Sequence, residues 1–175
     1  MPSLSLHHLL LYSHRDAMGI PCSPILWDLR EPPSSCVRHI SSPTKRIPAA
    51  QLAQPATYPP VSALRITCDV FPFPWPIEAR NHHGVTILDV LDAIYNAARA
   101  RIRPLEWDRM AEKHKERVGA HFHHRWTSSP DPPRVRANGV VRSDCLLQST
   151  YFAGLSPSPE LGFVFILSLG RPRHR

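Results

Sequence analysis

The chain has 175 residues, and 21 Lys and Arg against 14 Asp and Glu give it a formal charge of +7. That length suits one domain burying about two thirds of its unfolded surface. The longest apolar run, Phe163–Leu167, is far short of the roughly 20 residues that span a bilayer, and the 7 glycines form neither a P-loop nor a dinucleotide fingerprint. The run Leu4-Ser5-Leu6-His7-His8-Leu9-Leu10-Leu11 is a poor secretory signal, since no charge precedes it and two histidines interrupt it. Residues 1–20 are therefore expected to form a weakly structured segment ahead of a single domain over 21–172, with 173–175 as a basic tail. Cys22, Cys36, Cys68 and Cys145 lack CxxC spacing, as expected of thiols in a reducing, intracellular compartment, cytoplasmic or nuclear.

Proline supplies 20 residues, more than twice the usual share of about 5%, and half of them fall in the first 60 positions. The N-terminal third is thus expected to be mostly irregular, with Ser41 to Pro60 an extended connection. In Leu64-Arg65-Ile66-Thr67-Cys68-Asp69-Val70 apolar residues take every second position, the pattern of a half-buried strand. Trp75, Ile77 and Ala79 repeat that period, with Phe71-Pro72-Phe73-Pro74 as a hairpin connection. Pro76 has no N–H to donate, which places this second strand at an edge.

Beyond Asn81-His82-His83-Gly84 the period changes. Thr86 is the expected N-cap and Asp89 its capping-box partner. Leu88, Leu91, Tyr95 and Ala98 form a stripe with Ile87, Val90 and Ile94 beside it. Pro104 ends this helix or opens the next, in which Trp107, Met110, Ala111, His114, Val118 and Phe122 recur at helical spacing. The short connection predicts an antiparallel helix pair. Thr127 to Ala137, around Pro130-Asp131-Pro132-Pro133, reads as a surface loop. Cys145-Leu146-Leu147 and Tyr151-Phe152-Ala153 fit either strand or helical turn, and the consecutive apolar residues from Phe163 to Leu169 predict a central strand covered on both faces. The sum is an α+β domain, two consecutive helices packed on a small sheet, with a Pro-rich irregular N-terminal third.

Leu26-Trp27-Asp28-Leu29-Arg30-Glu31-Pro32-Pro33-Ser34-Ser35, Pro74-Trp75-Pro76-Ile77-Glu78, Gly84-Val85-Thr86-Ile87-Leu88-Asp89-Val90-Leu91, Val141-Arg142-Ser143-Asp144-Cys145-Leu146 and Phe152-Ala153-Gly154-Leu155 follow one another in order. This series resembles an uncharacterised domain family, a domain of unknown function expanded in mushroom-forming (basidiomycete) fungi. The resemblance runs from about His8 to Pro172 and implies a single intracellular domain of fungal origin. It carries no reaction, ligand or catalytic residue with it.

No catalytic, cofactor-binding or metal-binding residue is assigned from the sequence. His121 and His124 lie at i, i+3 on a helix face, but no zinc motif accompanies them, so a solvated helix end is expected there. His82 and His83 belong to a polar turn. Asp28 and Asp144 each sit among apolar residues, where carboxylates cap helices or pair with arginine; brought together, they would share acid and base roles. No Gly-x-Ser-x-Gly elbow is present. The basic residues Arg99, Arg103, Arg134, Arg136, Arg142, Arg171, Arg173 and Arg175 are interrupted by Glu106, Asp108, Glu112 and Glu116, as on a solvated surface, without the aromatic-basic interleaving of an RNA module. The leading expectation is a non-catalytic intracellular binding domain for a protein partner or a second copy of itself. Its contact is an exposed apolar patch of Trp75 and Phe73 beside the Pro-marked edge. The alternatives are a hydrolase-like enzyme using Asp28, Asp144 or a histidine, and a basic domain that binds nucleic acid.

Overall fold

A computed structural model describes residues 4–13, 23–160 and 163–172. In chain order its elements are β1 (Ser5–Leu6), β2 (Ile25–Leu26), α1 (Pro33–Cys36), β3 (Arg38–His39), β4 (Ser42–Arg46), α2 (Ala49–Leu52), β5 (Thr57–Tyr58), β6 (Ala63–Thr67) and β7 (Ile77–Arg80). Then come α3 (Ile87–Arg99), α4 (Pro104–Arg109), α5 (Glu112–Thr127), α6 (Pro132–Asn138), a 3-10 helix (Arg142–Leu146), β8 (Tyr151–Pro157) and β9 (Val164–Gly170).

The alternating segments become the main sheet, in the order β7-β6-β9-β8. β6 and β7 pair antiparallel, with Leu64 opposite Ala79 and Ile66 opposite Ile77. Leu64, Ile66, Ile77 and Ala79 are buried, and Arg65, Glu78 and Arg80 face outward. Pro76 precedes an edge strand, as its missing donor requires. β9 is interior, parallel to β6 and antiparallel to β8. Its burial alternates: Phe165 and Leu167 are buried while Val164, Ile166 and Ser168 are half-buried, so one face meets the core and the other is only partly covered. This corrects the expectation of two fully covered faces.

α3 packs on β7 and begins with the expected capping box: Thr86 Oγ1 accepts from the Asp89 N–H at 3.1 Å and Asp89 Oδ2 accepts from the Thr86 N–H at 2.8 Å. Its buried stripe is Ile87, Val90, Leu91, Ile94 and Ala98, with Leu88 and Tyr95 half-buried, so the core face is rotated by about one residue from the periodicity-based stripe. Leu91→Ala is expected to cost about 2–5 kcal/mol through lost burial and a cavity. Chemical denaturation measures it, and an unchanged midpoint would contradict the placement of a fully buried Leu91.

The second helical stretch is divided. Met110 and Ala111 are both extended, so α4 ends and α5 starts anew; the buried Met110 side chain fixes the corner. α3 and α5 each pack on the 3-10 helix, which stands between them in place of a simple antiparallel pair. Cys145 and Leu146 belong to that 3-10 helix, whereas Tyr151-Phe152-Ala153 begin β8.

The Pro-rich regions are more ordered than their composition predicts. Ser41–Pro60 holds β4, α2 and β5, and Thr127–Ala137 runs into α6. The prolines occupy positions that need no donor: Pro33 and Pro132 open α1 and α6, Pro48 precedes α2, and Pro43 lies in β4, at the edge of the three-stranded sheet β2-β3-β4. Residues 4–13 are likewise packed, in contrast to the weak structure expected of 1–20. Leu9 and Leu10 are fully buried, the Tyr12 N–H donates to Leu155 O at 2.9 Å, and the Leu155 N–H donates to Leu10 O at 2.7 Å. The outer side of β8 thereby gains partners for backbone groups that an edge strand leaves open. Residues 14–20 and the tail 173–175 lie outside the described residues. Cys36, Cys68 and Cys145 are free thiols, and Cys22 lies outside the described residues. No described helix is long and apolar enough to cross a membrane.

Candidate functional site

Three acidic residues share one local role, each accepting the backbone N–H three residues upstream where a helix starts: Asp89 for α3, Glu106 for α4 and Asp144 for the 3-10 helix. A carboxylate there satisfies an open donor and faces the positive end of the helix dipole. Each also ties its helix to another part of the fold. Asp89 accepts from Asn81 Nδ2 at 2.8 Å, Glu106 from Trp75 Nε1 at 3.0 Å, and Asp144 from Arg125 Nε and Nη2 at 2.7 and 2.8 Å.

Trp75 is therefore a core residue. Only 5% of it is exposed, its ring carries the Arg142 guanidinium at 4.6 Å, and Phe71 and Phe73 pack against it at 5.1 and 5.5 Å between ring centroids. Phe73 is half-buried. The exposed Trp75–Phe73 patch expected beside β7 does not form, because Glu106 supplies a buried acceptor for the indole N–H. Burial acts to raise the Glu106 carboxyl, but hydrogen bonds from Arg103 and Trp75, with the Arg103 charge, outweigh it and hold the group at about 2.

Asp28 and Asp144 have separate partners. Asp28 binds the Arg30 guanidinium at 2.6 Å and accepts from Thr150 Oγ1 at 3.3 Å. It borders a cavity of about 530 Å³ with Glu31, Cys36 and Tyr151. Asp144 is 4% exposed and held by Arg125, which also donates to Gly139 O at 2.9 Å. Asp28 thus serves as an ion-pair group, and Asp144 as both an ion-pair and a capping group. Burial first, with the charges of Asp144 and Glu106, pushes the Cys145 thiol up to about 12, which keeps it protonated and a poor nucleophile.

Basic side chains gather elsewhere. His114, Arg117, His121 and His124 are spaced 3, 4 and 3 residues apart, so they form one stripe along α5. This stripe faces the turn after the 3-10 helix, Leu147 to Thr150, and Arg171 beyond β9. Two adjoining cavities of about 420 and 450 Å³ share His121, Leu147, Gln148 and Arg171, and Arg30 borders the second. Among the described residues no carboxylate lines either cavity, and Arg117 and Arg171 have no acidic partner. His114 Nε2 is buried without a hydrogen-bond partner among the described residues. Burial lowers the His121 pKa, and the charges of Arg30, His124 and Arg117 lower it further against the pull of Asp144. Leu147 closes the turn at φ 55° and ψ −113°, outside the ordinary regions for a residue with a side chain. The i, i+3 pair His121–His124 is the legible part of this stripe in sequence; its extension by Arg117 and His114 follows the same period. The described residues contain no cluster of three His, Cys, Asp or Glu set to hold a metal ion.

A mixed four-stranded sheet, covered by helices and flanked by a basic groove, defines the chain as a small α+β domain. Residues 25–161 match the family of unknown function DUF6699, and the chain belongs to that family. The match ends before β9, although β9 is the strand that joins β6 to β8. No curated protein and no solved structure matches the chain.

Proposed function

We propose that this is a non-catalytic intracellular binding domain of fungal origin, whose protein partner presents an anionic segment to the groove between α5 and the Leu147–Thr150 turn. The observation that carries the reading is the convergence of Arg117 and His121 from α5 with Arg171 from beyond β9 on a concavity that no carboxylate lines among the described residues. Opposite charge brought to such a surface gains attraction and orientation. Val70, 41% exposed, and the exposed Ala120 add apolar surface at the same place, which suits a peptide with side chains beside its charge. Among the described residues no Trp, Tyr or Phe lines the groove to stack bases, which favours a protein over single-stranded nucleic acid. The hydrolytic alternative draws on Asp28, Asp144 or a histidine, and both carboxylates are engaged by arginines.

Peptide pools with one fixed central anionic residue (aspartate, glutamate or phosphoserine) and randomised flanks test this by fluorescence anisotropy. At least one pool is expected to bind, with affinity that falls as salt rises. Arg117→Glu with Arg171→Glu is expected to abolish that binding while stability stays within about 0.5 kcal/mol, since exposed side chains with no acidic partner are being changed. If no pool binds, or if the charge reversal leaves binding intact, the groove is not the site.

A further inference from the structure

We propose that the group held in this groove is a phosphate monoester on a phosphorylated protein segment, so that the domain reads phosphoserine or phosphothreonine. This rests on the groove being the binding site.

The charge count is the first argument. Three arginines border the joined cavities, but the Arg30 guanidinium is bound to Asp28 at 2.6 Å. Arg117 and Arg171 remain, with two positive charges and no acidic partner among the described residues. A phosphomonoester carries roughly −1.5 to −2 at neutral pH, which matches that pair; a carboxylate carries a single charge and leaves one guanidinium unmatched.

Donor geometry is the second. Arg117 comes from α5, Arg171 follows β9, and Ser149 with Gln148 comes from the turn after the 3-10 helix, so donors from three parts of the chain border one cavity. A phosphomonoester presents three terminal oxygens to such a set of donors, against two for a carboxylate, and so engages more of them at once. The unpartnered His114 Nε2 and His121 lie on the same wall, and the turn that presents Gln148 and Ser149 begins at Leu147, whose φ of 55° is positive. Backbone strain of this kind persists where surrounding structure imposes it and clusters at ligand sites.

The apolar part of the wall selects the carrier. Ala120, Leu146 and Val70 border the first cavity together with the arginines. A polynucleotide would instead need a longer cationic track and stacking aromatics.

The test uses the full chain and the same peptide pools, with serine, glutamate or phosphoserine fixed at the centre. Inorganic phosphate and a twelve-nucleotide single-stranded RNA serve as competitors. The phosphoserine pool is expected to bind at least tenfold more tightly than the glutamate pool. Millimolar phosphate should displace it, and the serine pool should show no measurable binding. Arg117→Gln and Arg171→Gln are each expected to lose most of the preference for phosphoserine over glutamate, with an unchanged Tm as the folding control. Equal binding of the glutamate and phosphoserine pools would overturn the phosphate assignment and leave the anionic-groove reading standing. Failure of every pool would overturn both. Tighter binding of the RNA than of any peptide would overturn the assignment in favour of a nucleic-acid ligand.

Discussion

Gly154→Ala is expected to destabilise the protein by about 2–5 kcal/mol and to release residues 4–13 from the sheet. Gly154 lies in β8 at φ 117°, where the pairing with β9 shifts register, and a side chain strains the backbone there wherever space exists. Space does not exist. A Cβ on Gly154 would stand 2.4 Å from Tyr12 Cα and 2.7 Å from Leu11 O. These are backbone atoms, so they move only if the hydrogen bonds from Tyr12 to Leu155 and from Leu155 to Leu10 open. Opening them uncovers Leu9 and Leu10, both fully buried, and reinstates an open edge on β8. Hydrogen exchange should show faster exchange at the Tyr12 and Leu155 amides, alongside a lower denaturation midpoint. Gly119→Ala is the control with the opposite sign. Gly119 lies within α5 and its added methyl meets nothing within 4 Å, so a gain of about 0.5–1 kcal/mol is expected from helix propensity. Equal stabilities of the Gly154 variant and wild type would show that the leading segment does not dock on β8.

What was legible in the sequence follows the range of the forces involved. Period and capping act over a few residues, so the β6–β7 hairpin, the Thr86–Asp89 box and the edge position behind Pro76 could all be read from local pattern. Proline content alone predicts irregular chain, but position decides: at a helix's first residue or in an edge strand, proline fits regular structure. Glu106 and Asp144 repeat the three-residue spacing of Thr86–Asp89, but Arg103 and Val141 offer no hydroxyl to complete the box, and the reciprocal half alone is a weak signal. The burial of Trp75 was not legible, since its acceptor lies 31 residues downstream. The groove has the same character. The α5 stripe repeats at helical spacing, whereas Arg30 and Arg171 reach it only through the tertiary fold.

The cluster around Trp75 gives the second large effect. Trp75→Ala is expected to cost about 3–5 kcal/mol through lost burial, because the ring is packed by Phe71, Phe73 and the Arg142 guanidinium and its N–H satisfies Glu106. Glu106→Gln separates the polar part from the packing. The Glu106 carboxyl sits at about 2 in the fold, against about 4.3 in an unfolded chain. A depressed carboxyl contributes stability that is fully present above the unfolded value and is lost as pH falls through the folded one. Wild type should thus lose stability between about pH 5 and pH 2, and the glutamine variant, less stable at pH 7, should show a shallower acid slope and converge on wild type. Urea midpoints taken from pH 7 to pH 3 measure this, and parallel profiles would mean that Glu106 is not the group responsible. The consequence extends to the groove. Arg142, the first residue of the 3-10 helix, rests on Trp75, and that helix leads directly into Leu147 and the turn carrying Gln148 and Ser149. Loosening Trp75 should therefore weaken peptide binding at a wall that Trp75 does not line, and restoring an aromatic ring with Trp75→Phe should recover binding more fully than it recovers the acid slope, because phenylalanine supplies the surface for Arg142 without the N–H for Glu106.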